Sequence, residues 1–232
     1  MNHQLNQAKG WFVSFFVFLL FVSAGCERID SLREGCQAFQ QAQPTDSTIE
    51  LVETLEKPRF SKEELSLDQG TWQTFSDLDA FNRVGEANAL LHKSMMPTEE
   101  RERLFINPTG WNQKKLKNGD YLYNRCHLIG FQLTGENNNP KNLMTGTRAF
   151  NTPGMVEIEN QVAEYLRSTG NHVRYRVTPD FRGEELVARG VKIEAQSVED
   201  EALSICVYVH NVQTGVVLDY QTGKAKESPH SP

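Results

Sequence analysis

Residues 121–129 alternate as a β-strand does, and that alternation decides which side chains can work together. Tyr121, Tyr123, Arg125, His127 and Ile129 fall on one face, and Leu122, Asn124, Cys126 and Leu128 on the other. Arg125 and His127 therefore point the same way, roughly 7 Å apart along the strand. A guanidinium that grips phosphate oxygens bidentately, beside an imidazole that takes a proton near neutral pH, suits hydrolysis of a phosphodiester. Either residue alone carries little, since an isolated strand histidine is more often structural or merely exposed. Cys126 adjoins His127 in sequence, a pairing that suggests a nucleophile and its base. Neighbouring strand residues face opposite sides, which argues against a cysteine hydrolase.

Downstream, Thr152 can cap a helix and Pro153 can take its first position, with Gly170 as the stop, so the pattern predicts a helix over residues 153–168. Met155, Ile158, Val162, Tyr165 and Leu166 form its apolar arc at about 100° per residue. Glu159 falls inside that arc, whereas Glu157, Asn160, Gln161 and Glu164 lie opposite. A carboxylate turned toward an apolar interior pays a desolvation cost unless it is paired, hydrogen-bonded or close to a cation. Helix geometry leaves three readings open: an edge residue reaching water, an ion pair with an arginine, or a carboxylate that orients a metal-bound water.

Around these segments the pattern predicts an α+β domain with a central, mainly antiparallel sheet flanked by helices. A helix is expected over residues 76–92, where Leu78, Phe81, Val84, Ala87 and Leu91 recur at helical spacing. Strands are expected at residues 121–129, 172–178, 186–197 and 203–211. Residues 26–56 are polar and rich in Gln, Ser, Thr and Pro, as in a spacer. The domain proper is expected over residues 57–223, long enough for a single core. Residues 224–232 are expected to be a disordered tail. No internal repeat is apparent.

The segments Tyr123-Asn124-Arg125-Cys126-His127-Leu128-Ile129-Gly130, Gly135-Glu136-Asn137, residues 142–151, the helix start from Met155 to Glu159, and Tyr175-Arg176-Val177-Thr178-Pro179 together resemble the DNA/RNA non-specific endonuclease family. That family lies within the ββα-metal (His-metal finger) superfamily, and the likeness is greatest to secreted streptodornase-type DNases. It spans roughly residues 58–223. The resemblance implies that His127 is the general base acting on water and Arg125 a phosphate-binding arginine. It further implies that Asn151 is the sole direct protein ligand of the metal, that Glu159 holds metal-bound waters, and that Asn142 is a supporting site residue. The superfamily commonly reads Asp-Arg-Gly-His where this chain has Asn124-Arg125-Cys126-His127. The two chemical positions survive, and the differing two lie on the other strand face. Arg83 resembles the arginine of an Asp-x-x-x-Arg segment that approaches phosphate in relatives, with a structural ion pair as its alternative. One neutral ligand, with water and phosphate completing the shell, favours a hard cation: magnesium, with manganese as a substitute. The family implies 5′-phosphate products and little base preference, as expected when contacts fall on the backbone.

A net charge of −6 at first argues against a polyanionic substrate. The distribution argues the other way: residues 27–100 hold 7 Lys/Arg against 15 Asp/Glu, but residues 101–148 hold 8 against 3. Lys114, Lys115 and Lys117 lie in that basic block, in a loop leading to the strand of Arg125 and His127. They are expected to steer nucleic acid, with affinity falling steeply as salt rises.

Near the N-terminus, residues 11–22 form an apolar run of about 18 Å as a helix, short for a membrane span and suited to a signal-peptide core. Val22-Ser23-Ala24 offers ordinary signal cleavage, whereas Ser23-Ala24-Gly25-Cys26 resembles a bacterial lipobox that would leave a lipid anchor on Cys26. An uncleaved anchor is the third option. All three place catalysis outside the cytoplasm, where disulfides are permitted. Cys126 and Cys206 either pair or remain separate buried thiols. Two other classes remain: a non-catalytic extracytoplasmic nucleic-acid-binding lipoprotein such as a DNA-uptake receptor, and an adhesion lipoprotein. His127, Asn151 and Glu159 occurring together argue against both, because binding alone needs only the basic surface.

Overall fold

The computed structural model describes residues 50–228. The apolar run, the lipobox-like segment and almost all of the spacer lie outside the described residues. Six strands form the main sheet: β1 (Val52–Thr54), β2 (Trp72–Phe75), β3 (Ala87–Leu91), β6 (Val173–Pro179), β7 (Gly190–Ser197) and β8 (Ser204–His210). They are ordered β1-β8-β7-β6-β3-β2, and every neighbouring pair is antiparallel. Period-two alternation separates the two faces of this sheet. Ala89, Tyr175, Val177, Ile193, Ala195 and Val207 join the main core, whereas Asn88, Arg174, Arg176 and Glu194 point the other way. There Phe60 lies over the guanidiniums of both Arg174 and Arg176, and Glu64 and Glu194 pair with them.

A separate hairpin, β4 (Tyr123–His127) with β5 (Leu143–Thr147), pairs His127 with Leu143 and Arg125 with Thr145. The short helix α1 (Phe131–Thr134) lies between its strands, and the long helix α2 (Val156–Thr169) follows it. Two strands and a helix thus form a ββα unit whose helix buries Ile158, Val162, Ala163 and Leu166. The buried side chain of Asn211 joins the unit to the main sheet, accepting from Thr147 N and donating to Thr145 O and Ala188 O. Gly170 ends α2 in the left-handed conformation, as its sequence position predicts. Before α2, a helical turn from Phe150 to Met155 is interrupted at Thr152, whose backbone is extended.

Three expectations are corrected by the fold. Residues 76–92 are not a helix: they form a turn and then β3. Asp79 Oδ1 accepts from Phe81 N and Arg83 N, Asn82 adopts a positive φ of 58°, and an added Cβ on Gly85 would meet Ser76. Side-chain capture of backbone amides and a left-handed residue both oppose a helix, and Ala87 and Leu91, which fit a period of 3.6, also fit a period of two together with Ala89. The tail is also ordered at its start, because β10 (Ala225–Glu227) pairs with β9 (Val216–Leu218). At the other end β1 lies within residues read as spacer, yet it is an edge strand of the sheet.

Candidate active site

The end of β4 and the turn after it are pinned by Asn142. Its Oδ1 accepts from Ile129 N at 2.9 Å, its Nδ2 donates to Ile129 O at 3.0 Å, and its own carbonyl accepts from Leu128 N. Both ends of the amide are used and the residue is fully buried. Asn142 therefore holds backbone next to His127.

His127 is 6% exposed. Its Nε2 lies 2.9 Å from the carbonyl oxygen of Asn137, which can only accept, so this nitrogen carries the proton and Nδ1 keeps a lone pair. Arg101 Nη2 stands 3.5 Å from Nδ1, at the limit of a hydrogen bond. Burial pushes the imidazole down to about 4, against the Asn137 hydrogen bond and with help from the Arg101 charge. The ring is thus neutral at physiological pH, in one tautomer, with its basic nitrogen beside a cation.

Arg125 donates from Nε to Ile106 O at 2.5 Å and from Nη2 to Asn107 Oδ1 at 2.6 Å, and its guanidinium lies 4.5 Å from the Trp111 ring centroid. Two of its five N–H groups are so employed, and the others stay available. Arg101 is the site cation that the alternation argument missed. It lies in irregular chain, and only its density of charge beside Arg103 and a proline-bounded turn hinted at it.

Glu159 is 7% exposed and sits on the first turn of α2. Its carboxylate occupies the space left by the missing side chain of Gly130: a Cβ there would lie 2.8 Å from Oε1 and nearer still to Oε2 and Cδ. Burial raises its carboxyl to about 7, opposed by the Gln132 amide and the Arg101 charge. Arg101 thus acts on both His127 and Glu159, which brings those two elements to one place. Beneath them, Cys126 is a buried free thiol raised above its ordinary range by desolvation first and by Glu159 second. Cys206 is also free and belongs to the outer face of β8, so the two do not pair.

Asn151 is the second residue of the interrupted turn and is partly exposed. Its Nδ2 donates to Thr152 Oγ1 at 3.1 Å, which aims the amide and leaves Oδ1 without a protein donor among the described residues. A free amide oxygen and a buried carboxylate are hard donors that fit a magnesium-like ion. No cluster of three His, Cys, Asp or Glu residues suited to a metal occurs among the described residues.

The remaining expected residues stand apart. Arg83 donates to Asp79, Gly183 O and Glu185 O between Phe81 and Phe181, so it is the structural ion-pair partner. Lys114 Nζ donates to Ala225 O and ties the loop to β10. Lys115 and Lys117 are exposed, and Lys115 bridges to Tyr121, six residues before His127. That is about 20 Å along a strand, so the lysines flank the site without entering it. An open cleft of about 410 Å³ beside Phe131 and Asn137 carries Glu99, Glu100 and Glu102.

The sequence model of the DNA/RNA non-specific endonuclease family matches residues 65–199. A deoxyribonuclease from Streptococcus dysgalactiae subsp. equisimilis is 32% identical over 124 residues, covering 51% of this chain and 37% of that protein. The chain therefore spans little more than a third of that relative's length. NucA from Streptococcus agalactiae, in its magnesium-bound crystal structure, superposes with a TM-score of 0.63 at 27% identity, over 68% of this chain and 78% of that one. The Sda1 nuclease with bound zinc gives a TM-score of 0.62 at 29% identity, over 68% and 80%.

Proposed function

This chain belongs to the DNA/RNA non-specific endonuclease family, and from that premise we propose that it is a metal-dependent nuclease hydrolysing phosphodiester bonds of DNA outside the cytoplasm. The observation that carries the reading is the state of His127: neutral, in one tautomer, with Nδ1 turned to Arg101. A ring in that state accepts a proton from an attacking water, and the Asn137 carbonyl holds the imidazolium that forms. Arg101 and the unused N–H groups of Arg125 bind phosphate oxygens and stabilise the charge that grows in the transition state. Asn151 Oδ1 and the Glu159 carboxylate would hold a magnesium ion, or manganese as its substitute, which would supply neutralisation of charge on the phosphate and on the departing 3′ oxygen. The products carry 5′ phosphates. RNA is a second substrate, and exposed Lys115 and Lys117 contact backbone phosphates beyond the cleaved bond. The apolar run and Cys26 direct the enzyme to secretion or to a lipid tether.

The test is plasmid digestion with magnesium, with and without chelator, for wild type and His127→Ala. Loss of a general base costs about 10²- to 10⁴-fold, so cleavage should disappear in the variant and under chelator while DNA binding persists. A wild-type chain that binds DNA but does not cut it in the presence of any divalent ion is a binding protein instead.

A further inference from the structure

Phe105 is 72% exposed, more than any other large apolar side chain named among the described residues. It stands on irregular chain, residues 101–110, that is nevertheless fixed along its length. Asn137 takes Arg101 Nε on its side-chain oxygen and donates to Glu102 O. Asn138 donates to Arg103 O and accepts from Phe105 N itself at 3.2 Å. The next carbonyl, that of Ile106, accepts from Arg125. An aromatic ring is thus held out in water by hydrogen bonds to its own backbone and its neighbours, between the two arginines of the site. Its loop also carries Arg103, exposed and basic.

We propose that Phe105 is a nucleobase-stacking subsite of this enzyme, taking an unpaired base of the strand being cut; this rests on the nuclease reading above. An exposed aromatic face interleaved with arginines is how proteins bind single-stranded nucleic acid, because every base offers a π-face while the cations track the phosphates. Arg101, Arg103 and Phe105 stand on one segment, so a phosphate chain held at Arg101 can continue past Arg103 and the exposed ring. The reach is short: Phe105 is four positions beyond Arg101, at most about 14 Å of chain. At about 3.4 Å per nucleotide in a stacked strand, the base lies within a few nucleotides of the scissile bond. A base inside a duplex is already stacked, so the gain falls on single strands and frayed ends.

The full chain carrying His127→Ala binds without cutting, and is compared with His127→Ala/Phe105→Ala on a single-stranded DNA 20-mer and on the same sugar-phosphate chain with all bases removed. Removing one stacking partner should weaken binding of the normal oligonucleotide by about fivefold to a hundredfold. Binding of the base-free chain should not change, and Phe105→Trp should bind as Phe105 does. Equal affinities on the normal strand, or equal losses on both probes, overturn the subsite. Plasmid cleavage by the wild-type chain separates the two readings. If wild type cuts and the binding pair shows no difference, only the subsite fails. If wild type neither cuts nor binds, the nuclease reading fails with it.

Discussion

Burial drives His127 and Glu159 in opposite directions, and both shifts favour the neutral form. The imidazole falls to about 4 and the carboxyl rises to about 7. For Glu159 the folded chain holds its proton to higher pH than the unfolded chain does. Its contribution to stability is therefore full below about 4.5 and is lost as pH rises through 7. For His127 the sense is reversed: its contribution is full above 6.5 and is lost as pH falls through 4. The two windows overlap in acid, so the carboxyl is isolated by difference. In metal-free protein, melting temperature followed from pH 5 to 8 should fall for wild type relative to Glu159→Gln, by the equivalent of roughly 3 kcal/mol across the range. Parallel curves would mean that the carboxylate is already compensated without metal. The same cost is what a bound cation relieves, which connects this acid's burial to its proposed role.

At the scale of elements, α2 and the turn ending β4 meet through a side chain that is missing. Gly130 leaves room for the Glu159 carboxylate, and a methyl there would stand 2.8 Å from Oε1 and closer to the other carboxyl atoms. Gly130→Ala should displace the acid while Asn142 still clamps Ile129. Disturbing a group that orients a metal's ligands typically costs 10- to 100-fold in metal affinity, so the magnesium concentration for half-maximal cleavage should rise about that much. Shortening the acid in Gly130→Ala/Glu159→Asp should recover part of the loss. If the double variant is no better than the single one, the contact is not what sets the requirement for metal.

Across the whole molecule, the C-terminal hairpin supports the basic loop: Lys114 reaches Ala225 O, Tyr123 donates its hydroxyl to Gly223 O, and β10 pairs with β9. Deleting residues 224–232 should lower stability by roughly 2 to 4 kcal/mol, at about 1 kcal/mol per lost hydrogen bond, and weaken duplex binding; an unchanged melting curve would return this segment to the status of a loose tail. By itself the sequence determined the strand of Arg125 and His127, the helix that buries Glu159 and its stop at Gly170, because periodicity and caps are local properties of the chain. It also carried the family, through ordered motifs from Tyr123 to Pro179. Only the tertiary structure decided that residues 87–91 are a strand, that Arg83, Lys114 and Asn142 serve the scaffold, and that Arg101 comes to His127. Those outcomes depend on which distant backbone groups a side chain meets, and a contact between residues 101, 127 and 137 leaves no periodic trace in the chain that makes it.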